Sequence, residues 1–481
     1  MIAWTIAGSD SGGGAGIQAD LETFADHGVH GCSVITALTA QNTQAVRAVE
    51  LTSPQMIRAQ IDALSEDLPA KAIKTGMLGN AVSISCVAEA LENLDCFYVC
   101  DPVMVATSGG ALMESEAHQT LIKQLMPRVD LLTPNLPEAR ALCGQEINGP
   151  PQIEDCARKL LEMGARSVLI KGGHGNESIS SDYWTDGQRA FWLHTPRLET
   201  SHTHGSGCTL SAAITALIAS GLSPTDALVL GKAYVTRAIR KAVPLGKGFG
   251  PVVQSGPPHA EDMPWLTPGP DPSRPSFPDC GSEPLGLYPL VNRASWLEAL
   301  LPVGVRTIQL RIKDLNGEAL EEEINKSVAV AREYDARLFI NDHWREAIKA
   351  GAYGVHLGQE DLTDVAIKAL AEAGLRIGIS THDYTELARA QTYNPSYVAL
   401  GPIFTTTSKK LEYQPQGLEK IQTWKRLNRA PIVAIGGIQI EHIEKIMAAG
   451  AGGIAVIGGI MAEKDPQKQA QNWLKRLVKN G

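Results

Sequence analysis

PPHAEDMPWLTPGPDPSRPSFPDCGSEP, residues 257–284, holds nine prolines in 28 positions. Each proline fixes its own φ, removes a backbone donor and pushes the preceding residue away from helical angles, so a run this dense continues neither a helix nor a central strand. It reads as a semi-rigid or extended linker. Either side of it lie residues 1–256 and 285–481, each long enough to bury a core of its own.

Composition narrows what those two parts do. The hydrophobic fraction of 44% and charged fraction of 20% are those of a water-exposed globular protein. A net charge of -9, with no basic tract, argues against a nucleic-acid partner. The start, MIAWTIAGSD, lacks the basic residues and long apolar run of a signal peptide, and no apolar stretch reaches membrane-spanning length, so a cytoplasmic protein with no membrane partner is expected. The eight cysteines show no CxxC pair and no metal-ligand spacing; most are expected as buried small hydrophobes in a reducing compartment.

The part after the prolines has a regular rhythm. Short apolar runs recur at 286–291, 307–311, 337–341, 354–358, 376–380, 397–401, 431–437 and 453–458, with helix-like stretches such as HWREAIKAGA between them. Eight strand-helix units predict a TIM (β/α)8 barrel, in which chemistry sits beyond the C-terminal ends of the strands. Those ends are polar: Gln309, Arg311 and Lys313; Asn341 and Asp342; Asp361; Ser380 and His382; Thr406, Ser408 and Lys409; then Gly436, Gly437 and Gly458. Taken singly, an Asp after a strand is more often a turn or helix cap, a Gly-Gly a tight turn, and a strand-end Lys a solvated charge. Six of eight strand ends carrying such groups on one rim outweighs that. Two carboxylates without a thiol or imidazole cluster suit Mg²⁺, Arg311 and Lys313 suit phosphates, and the late glycines suit a backbone phosphate cradle.

QLRIK (309–313), IND (340–342), GVHLGQEDL (354–362), GISTH (378–382), the GPIF stretch and AIGGI closely resemble thiamine-phosphate synthase over nearly all of 285–481. The resemblance implies that the pyrimidine diphosphate substrate meets Gln309, Leu310, Arg311, Ile312, Lys313, Asn341, Ser380 and Lys409. It implies that Asp342 and Asp361 hold Mg²⁺, and that thiazole phosphate meets Thr406, Thr407, Ser408, Gly436, Gly437, Ile457 and Gly458. Three positions depart from the family: YPLVNR lacks an acidic residue usual at the first strand, Thr405 replaces a proline, and Gly458 replaces a serine.

Residues 1–256 also alternate strand and helix, but without an eightfold count, so an open, mainly parallel α/β sheet with ligands at the strand C-termini is expected. GSDSGGGAGIQADL (8–21) lacks the GK[ST] of a Walker motif and reads equally well as a flexible turn. THGSGCTLSAA (203–213) places three small residues before a helix, which makes an anion hole of consecutive N–H groups. A thiol at such a helix start is expected to have a lowered pKa, making Cys208 a candidate base or nucleophile; the plain alternative is a small buried residue.

AGSDSGGGAGIQADL, ALTAQNT, KTGML, DPVM, TPNLPEA, IKGGHG and HGSGCTLSAA closely resemble hydroxymethylpyrimidine and phosphomethylpyrimidine kinase, of the ribokinase-like fold, across nearly the whole first part. The resemblance implies Cys208 as base where most ribokinase relatives have aspartate, Gly205, Ser206 and Gly207 as the anion hole, and a pyrimidine pocket of Gln41, Asp20, Met77 and Val103. Asn135 and Glu138 match the family's magnesium motif, and Lys171 lies near the phosphates of ATP. Ser206 stands where threonine is usual.

Joined, the resemblances predict a bifunctional thiamine-biosynthesis enzyme using ATP and Mg²⁺ on small-molecule substrates, the first domain's product being the second's substrate. Two alternatives remain at this stage: a pyridoxal-type kinase in the first domain, or one domain that only binds a precursor. Related kinases and synthases are often dimeric or larger, which leaves homo-oligomerisation open.

Overall fold

The computed structural model describes residues 1–104, 115–173, 177–405 and 414–478. Two compact units divide between Pro272 and Ser273.

The first unit is built on a sheet of ten strands among the described residues, in the order β10-β9-β8-β7-β6-β5-β4-β1-β2-β3. Six of them, β1 (Ile2–Asp10), β2 (His30–Gln41), β4 (Ala72–Thr75), β5 (Phe97–Cys100), β6 (Leu131–Leu132) and β7 (Val168–Ile170), run parallel to one another. They form the mainly parallel sheet expected from the alternation of strand and helix in this part of the sequence. The other four, β3 (Val46–Leu51), β8 (Ile179–Thr185), β9 (Ala190–Pro196) and β10 (Trp265–Thr267), are antiparallel extensions at the two edges. The central strands are fully buried, as β4 shows at all four positions, because helices cover both faces.

On one face the helix Ser206–Ala219 packs against β1, β4 and β5 and against the helix Gly16–Asp26. Every residue from Thr209 to Ala216 is buried. A helix covered on all sides along this stretch needs apolar or small residues all round, and TLSAAITA supplies them, six of its eight residues being Ala, Ser or Thr.

The second unit is a closed barrel of eight parallel strands in sequence order: β11 (Gly286–Val291), β12 (Thr307–Leu310), β13 (Arg337–Asn341), β14 (Gly354–Leu357), β15 (Arg376–Thr381), β16 (Tyr397–Leu400), β17 (Ile432–Ile435) and β18 (Gly453–Val456). Each expected strand is present within two residues of its reading. Tyr288, Leu290, Phe339, Tyr397, Ala399, Val433 and Ala455 fill the interior, so the barrel is a packed core.

The proline-rich stretch is docked at both ends. Trp265–Thr267 pairs with Trp192–His194 as the sheet's last edge strand, and the Thr267 hydroxyl lies 2.7 Å from His194 Nε2. Toward the other end, Cys280 is buried at the barrel floor, where Arg337 donates to the carbonyls of Cys280, Glu283 and Pro284 at 3.3, 2.9 and 2.7 Å. Proline excludes a central strand but not a three-residue edge strand between Pro264 and Pro268.

Two cysteines depart from expectation: Cys143 and Cys156 are bridged, joining the helices Leu136–Cys143 and Pro150–Glu162, while the other six thiols are free.

Because Met263, Trp265 and Leu266 are buried, a fragment ending at 256 loses apolar packing worth at least about 2 kcal/mol. It is expected to melt roughly 5 °C or more below a fragment ending at 272; calorimetry of the two fragments checks this, and equal melting temperatures would remove β10 from the first unit's stability.

Candidate functional sites

In the first unit the C-terminal ends of the parallel strands open into a cleft of about 820 Å³. Its wall includes Gln41, Met77, Val103, Asn135, Glu138, Lys171 and Gly205 to Cys208, so most of the residues singled out in the sequence meet in one cavity.

The anion hole depends on glycine. Gly205 caps the helix Ser206–Ala219 at φ +77°, and a Cβ there would lie 1.8 Å from the Gly14 carbonyl oxygen. Ser206 N–H is engaged by Thr203 O at 3.1 Å. First-turn donors have no intrahelical acceptor, which leaves Gly207 and Cys208 to offer N–H groups to an anion. Lys171 Nζ is 3.3 Å from where a Cβ on Gly207 would stand, and it pairs with Asp101 at 2.8 Å. Burial alone would lower Lys171, but the carboxylates of Asp101 and Glu138 raise it, so an ammonium stands over the hole.

Cys208 itself corrects the sequence reading. The residue keeps partial exposure to the cleft, yet burial pushes its thiol up to about 11. The Lys74 ammonium and the Gly16 N–H pull the other way, while Asp20 and Asp101 add to the rise. Helix-end electrostatics were expected to win; desolvation together with two nearby carboxylates wins instead.

Asp20 is a second correction. It was expected to line the pyrimidine pocket, but its side chain is wholly buried beneath the cleft, 2.7 Å from Lys74 Nζ, with the Thr5 hydroxyl donating to it at 2.6 Å. Burial alone would lower Lys74, but the adjacent Asp20 carboxylate raises it; burial raises Asp20 in turn, with the Lys74 ammonium and the Thr5 hydroxyl opposing that rise. Lys74, unlike Asp20, reaches the cleft wall.

Asn135 and Glu138 have a structural task as well. Glu138 N–H donates to Asn135 Oδ1 at 2.9 Å, and Asn135 N–H to Glu138 Oε2 at 2.7 Å, a capping box for the helix Leu136–Cys143. Burial pushes the Glu138 carboxyl up to about 7, with Lys171 opposing and Asp101 reinforcing. A buried carboxyl close to a second one fits a site that a divalent cation completes.

The glycine-rich loop is the turn, not a phosphate loop. Asp10 accepts the N–H groups of Gly12, Gly14 and Ala15 at 2.8, 3.2 and 3.0 Å. Burial would raise Asp10, but hydrogen bonds from His204, Gly12 and Ala15 hold it below the usual carboxylate range. His204, which the sequence reading passed over, brings Nε2 to 3.0 Å from Asp10 and 3.4 Å from the Gln41 amide. Its only signal was its place directly before Gly205.

On the barrel rim, Asp342 sits at φ +62°, fixed by Asn341 Nδ2 at 2.6 Å and paired with Lys313. Burial raises Asp361, and the neighbouring Asp342 and Glu360 raise it further. Two carboxylates that repel each other at the rim fit Mg²⁺, which takes one or two carboxylates and leaves its other positions to other oxygen ligands. Gln309 is 4% exposed, at the inner end of the rim. Leu310 and Ile312 are 0% and 1% exposed, so their side chains pack in the core and any ligand contact falls to their backbone. Ser380 Oγ is 3.0 Å from His356 Nε2, and burial pushes that imidazole down to about 4. Gly436 and Gly437 both have positive φ, and a Cβ on Gly437 would meet Thr405 O at 2.4 Å. Ile457 is exposed, and Gly458 opens the short helix Gly458–Met461. Thr406, Thr407, Ser408 and Lys409 lie outside the described residues.

Fold and sites together define the class: an enzyme joining a ribokinase-like kinase to a TIM-barrel transferase. The phosphomethylpyrimidine kinase family matches residues 10–253 and the thiamine monophosphate synthase family residues 288–460. The chain belongs to the bifunctional thiamine biosynthetic enzymes. It is 35% identical to the thiamine biosynthetic bifunctional enzyme TH1, chloroplastic, of Arabidopsis thaliana, over 98% of this chain and 92% of that protein. The barrel is 51% identical to a thiamine-phosphate synthase of Photorhabdus laumondii, over 40% of this chain and 90% of that protein. A pyridoxal kinase structure from Staphylococcus aureus superposes with a TM-score of 0.51 at 34% identity, covering 55% of this chain and 97% of that one. No helix among the described residues is long and apolar enough to cross a membrane.

Replacing Lys74 with Met strands the Asp20 carboxylate in the interior, and the first unit is expected to lose about 3–5 kcal/mol in urea unfolding. The double replacement Lys74→Met with Asp20→Leu is expected to recover most of the loss; no recovery would show that the two charges do not act as a pair.

Proposed function

We propose that the first unit phosphorylates 4-amino-5-hydroxymethyl-2-methylpyrimidine twice from ATP, and that the barrel joins the resulting diphosphate to 4-methyl-5-(2-phosphooxyethyl)thiazole, giving thiamine phosphate and diphosphate. The observation that carries this reading is the tandem of two families in one chain, the product of the first being the substrate of the second. The kinase family that matches is the pyrimidine one, which favours it over a pyridoxal-type activity. The ionised and polar residues that fill both sites speak against a merely binding domain.

In the first unit, Gln41 holds the pyrimidine through its carboxamide while Met77 and Val103 border the ring. The N–H groups of Gly207 and Cys208 and the Lys171 ammonium receive charge developing on the transferred phosphoryl group. Glu138 and Asn135 stand where Mg²⁺ would neutralise the phosphates. Cys208 Sγ takes the proton of the substrate alcohol, and only its thiolate form has room for that proton. With a thiol pKa of about 11, the thiolate is a minor form at neutral pH and grows about tenfold per pH unit below that value.

In the barrel, Arg311 and Lys313 hold the diphosphate, and Asp342 and Asp361 would hold Mg²⁺, whose charge offsets that of the departing diphosphate. Gln309, Asn341 and Ser380 orient the pyrimidine, and the Gly436–Gly437 turn presents backbone N–H groups to the thiazole phosphate.

The purified chain, given ATP, Mg²⁺, the pyrimidine alcohol and thiazole phosphate, is expected to make thiamine phosphate. Cys208→Ala is expected to cut phosphorylation by about 10²–10⁴-fold and leave the barrel's use of supplied pyrimidine diphosphate intact. For the native chain, kcat/KM of the kinase step should rise with pH between 7 and 10. A flat profile would reduce Cys208 to a positioning group, and absence of thiamine phosphate would overturn the assignment.

Gly458 stands where the family has serine, and a Cβ there would meet open space. Gly458→Ser is therefore expected to fit without displacement and to lower the KM for thiazole phosphate about 3- to 10-fold, the worth of one added hydrogen bond. Steady-state kinetics check this, an unchanged KM placing the phosphate elsewhere.

A further inference from the structure

Among the described residues, Phe249 is the only phenylalanine, tyrosine or tryptophan on the wall of the kinase cleft, and its side chain is left half in water, the residue being 47% exposed. A single exposed phenyl is ordinary on a protein surface. This one, however, stands on a segment whose backbone is fastened on both sides. The Phe249 N–H donates to Thr43 O at 3.0 Å, and the Gly248 N–H donates to Thr43 Oγ1 at 3.2 Å. Beyond the ring, His204 N–H donates to Gly250 O and Val252 N–H to His204 O, both at 3.1 Å. A Cβ on Gly248 would lie 2.0 Å from the Thr43 carbonyl oxygen, so the segment runs closer to Thr43 than any side chain at that position would permit.

The two anchors place the ring at one end of the cleft. Thr43 stands two residues past Gln41, and His204 directly precedes Gly205. Residues 248–252 therefore tie the segment that carries the Gln41 carboxamide to the segment that opens the anion hole. A carboxamide can hold a flat heterocycle only by its edge, through in-plane hydrogen bonds, and leaves both faces of the ring to other groups. Met77 and Val103 offer a thioether and a branched aliphatic chain; the one aromatic face on the wall is that of Phe249. An apolar ring that is half in water gains when a flat heteroaromatic covers it.

We propose that Phe249 is a substrate-binding residue of the kinase, its ring stacking on the pyrimidine whose edge Gln41 holds. This rests on the reading of the first unit as a kinase for the pyrimidine alcohol. The stack touches a part of the substrate that does not react, so it is the same before and during phosphoryl transfer and acts on KM and not on kcat. The ring is common to the alcohol and to its monophosphate, so both phosphorylation steps draw on it equally.

The test is steady-state kinetics of the full chain with each of the two pyrimidine acceptors. Phe249→Ala is expected to raise both pyrimidine KM values about tenfold, the worth of one base-on-aromatic stack, with kcat and the KM for ATP unchanged. Phe249→Tyr keeps the ring and is expected to keep the native KM values, whereas Phe249→Leu restores apolar bulk without an aromatic face and is expected to recover only part of the loss. Leu245→Ala is the control, because Leu245 is 56% exposed nearby in the sequence but is not on the cleft wall; its constants should match the native chain. Pyrimidine KM values unchanged in Phe249→Ala, a rise in the KM for ATP in their place, full recovery in Phe249→Leu, or an equal rise in Leu245→Ala overturns the stack. Gln41→Ala separates the two levels: if it too leaves the pyrimidine KM values unchanged, the underlying assignment of the pyrimidine end has failed; if it raises them while Phe249→Ala does not, only the stack has.

Discussion

A parallel strand cannot turn directly back beside its neighbour; the chain must cross over and start again from the same end. That constraint organises both units. Every crossover returns the carbonyl ends of the strands to one side, so the residues that follow each strand collect there without any special arrangement. In the first unit this gathers Asp10, Gln41, Asp101 and Lys171 around a single cleft; in the barrel it sets Gln309, Asn341, Ser380 and the late glycines on one rim. The antiparallel strands β3, β8, β9 and β10 only extend the edges of the first sheet.

Within that arrangement, the electrostatics follow burial more than helix direction. Cys208, Glu138 and His356 are all moved toward their neutral forms by loss of water. Lys74 and Lys171 stay charged because each has a carboxylate within 2.8 Å. The kinase cleft thus presents fixed cations beside groups that keep their protons. That suits phosphoryl transfer, in which placing positive charge around the phosphates contributes more than a strong base does.

How legible was this in the amino-acid pattern? The eight barrel strands were, because each buried parallel strand is a short apolar run closed by a polar residue, and the motifs that followed them fell on the rim. The six parallel strands of the first unit were legible for the same reason. Strands β8 and β9, ISSDYWT and AFWLHTP, mix polar and aromatic residues because they lie toward the sheet edge, and β10 hides between prolines. Cys208 lines the cleft, but its thiol is pushed up where the sequence reading expected it lowered, because the burial and the carboxylates of Asp20 and Asp101 that cause this come from residues more than 100 positions away. Leu310 and Ile312 illustrate a plainer limit: a contiguous motif marks a strand end, yet alternate side chains face opposite ways, and Leu310 and Ile312 are buried in the core while Arg311 and Lys313 are not. The hydrogen-bonded line Tyr288–Tyr397–His356–Ser380 inside the barrel joins residues from four strands and has no sequence signature at all.

Asp10 has a consequence for how the kinase cleft sorts its ligands. Its carboxylate occupies the N–H groups of Gly12, Gly14 and Ala15, which makes it a tethered competitor present at an effective concentration no free phosphate reaches. The chain has in this way filled one of its two backbone nests with an anion of its own. The nest near Gln41 is thus filled, while the one beside the Lys171 ammonium is not, so the two ends of the cleft differ before any ligand arrives.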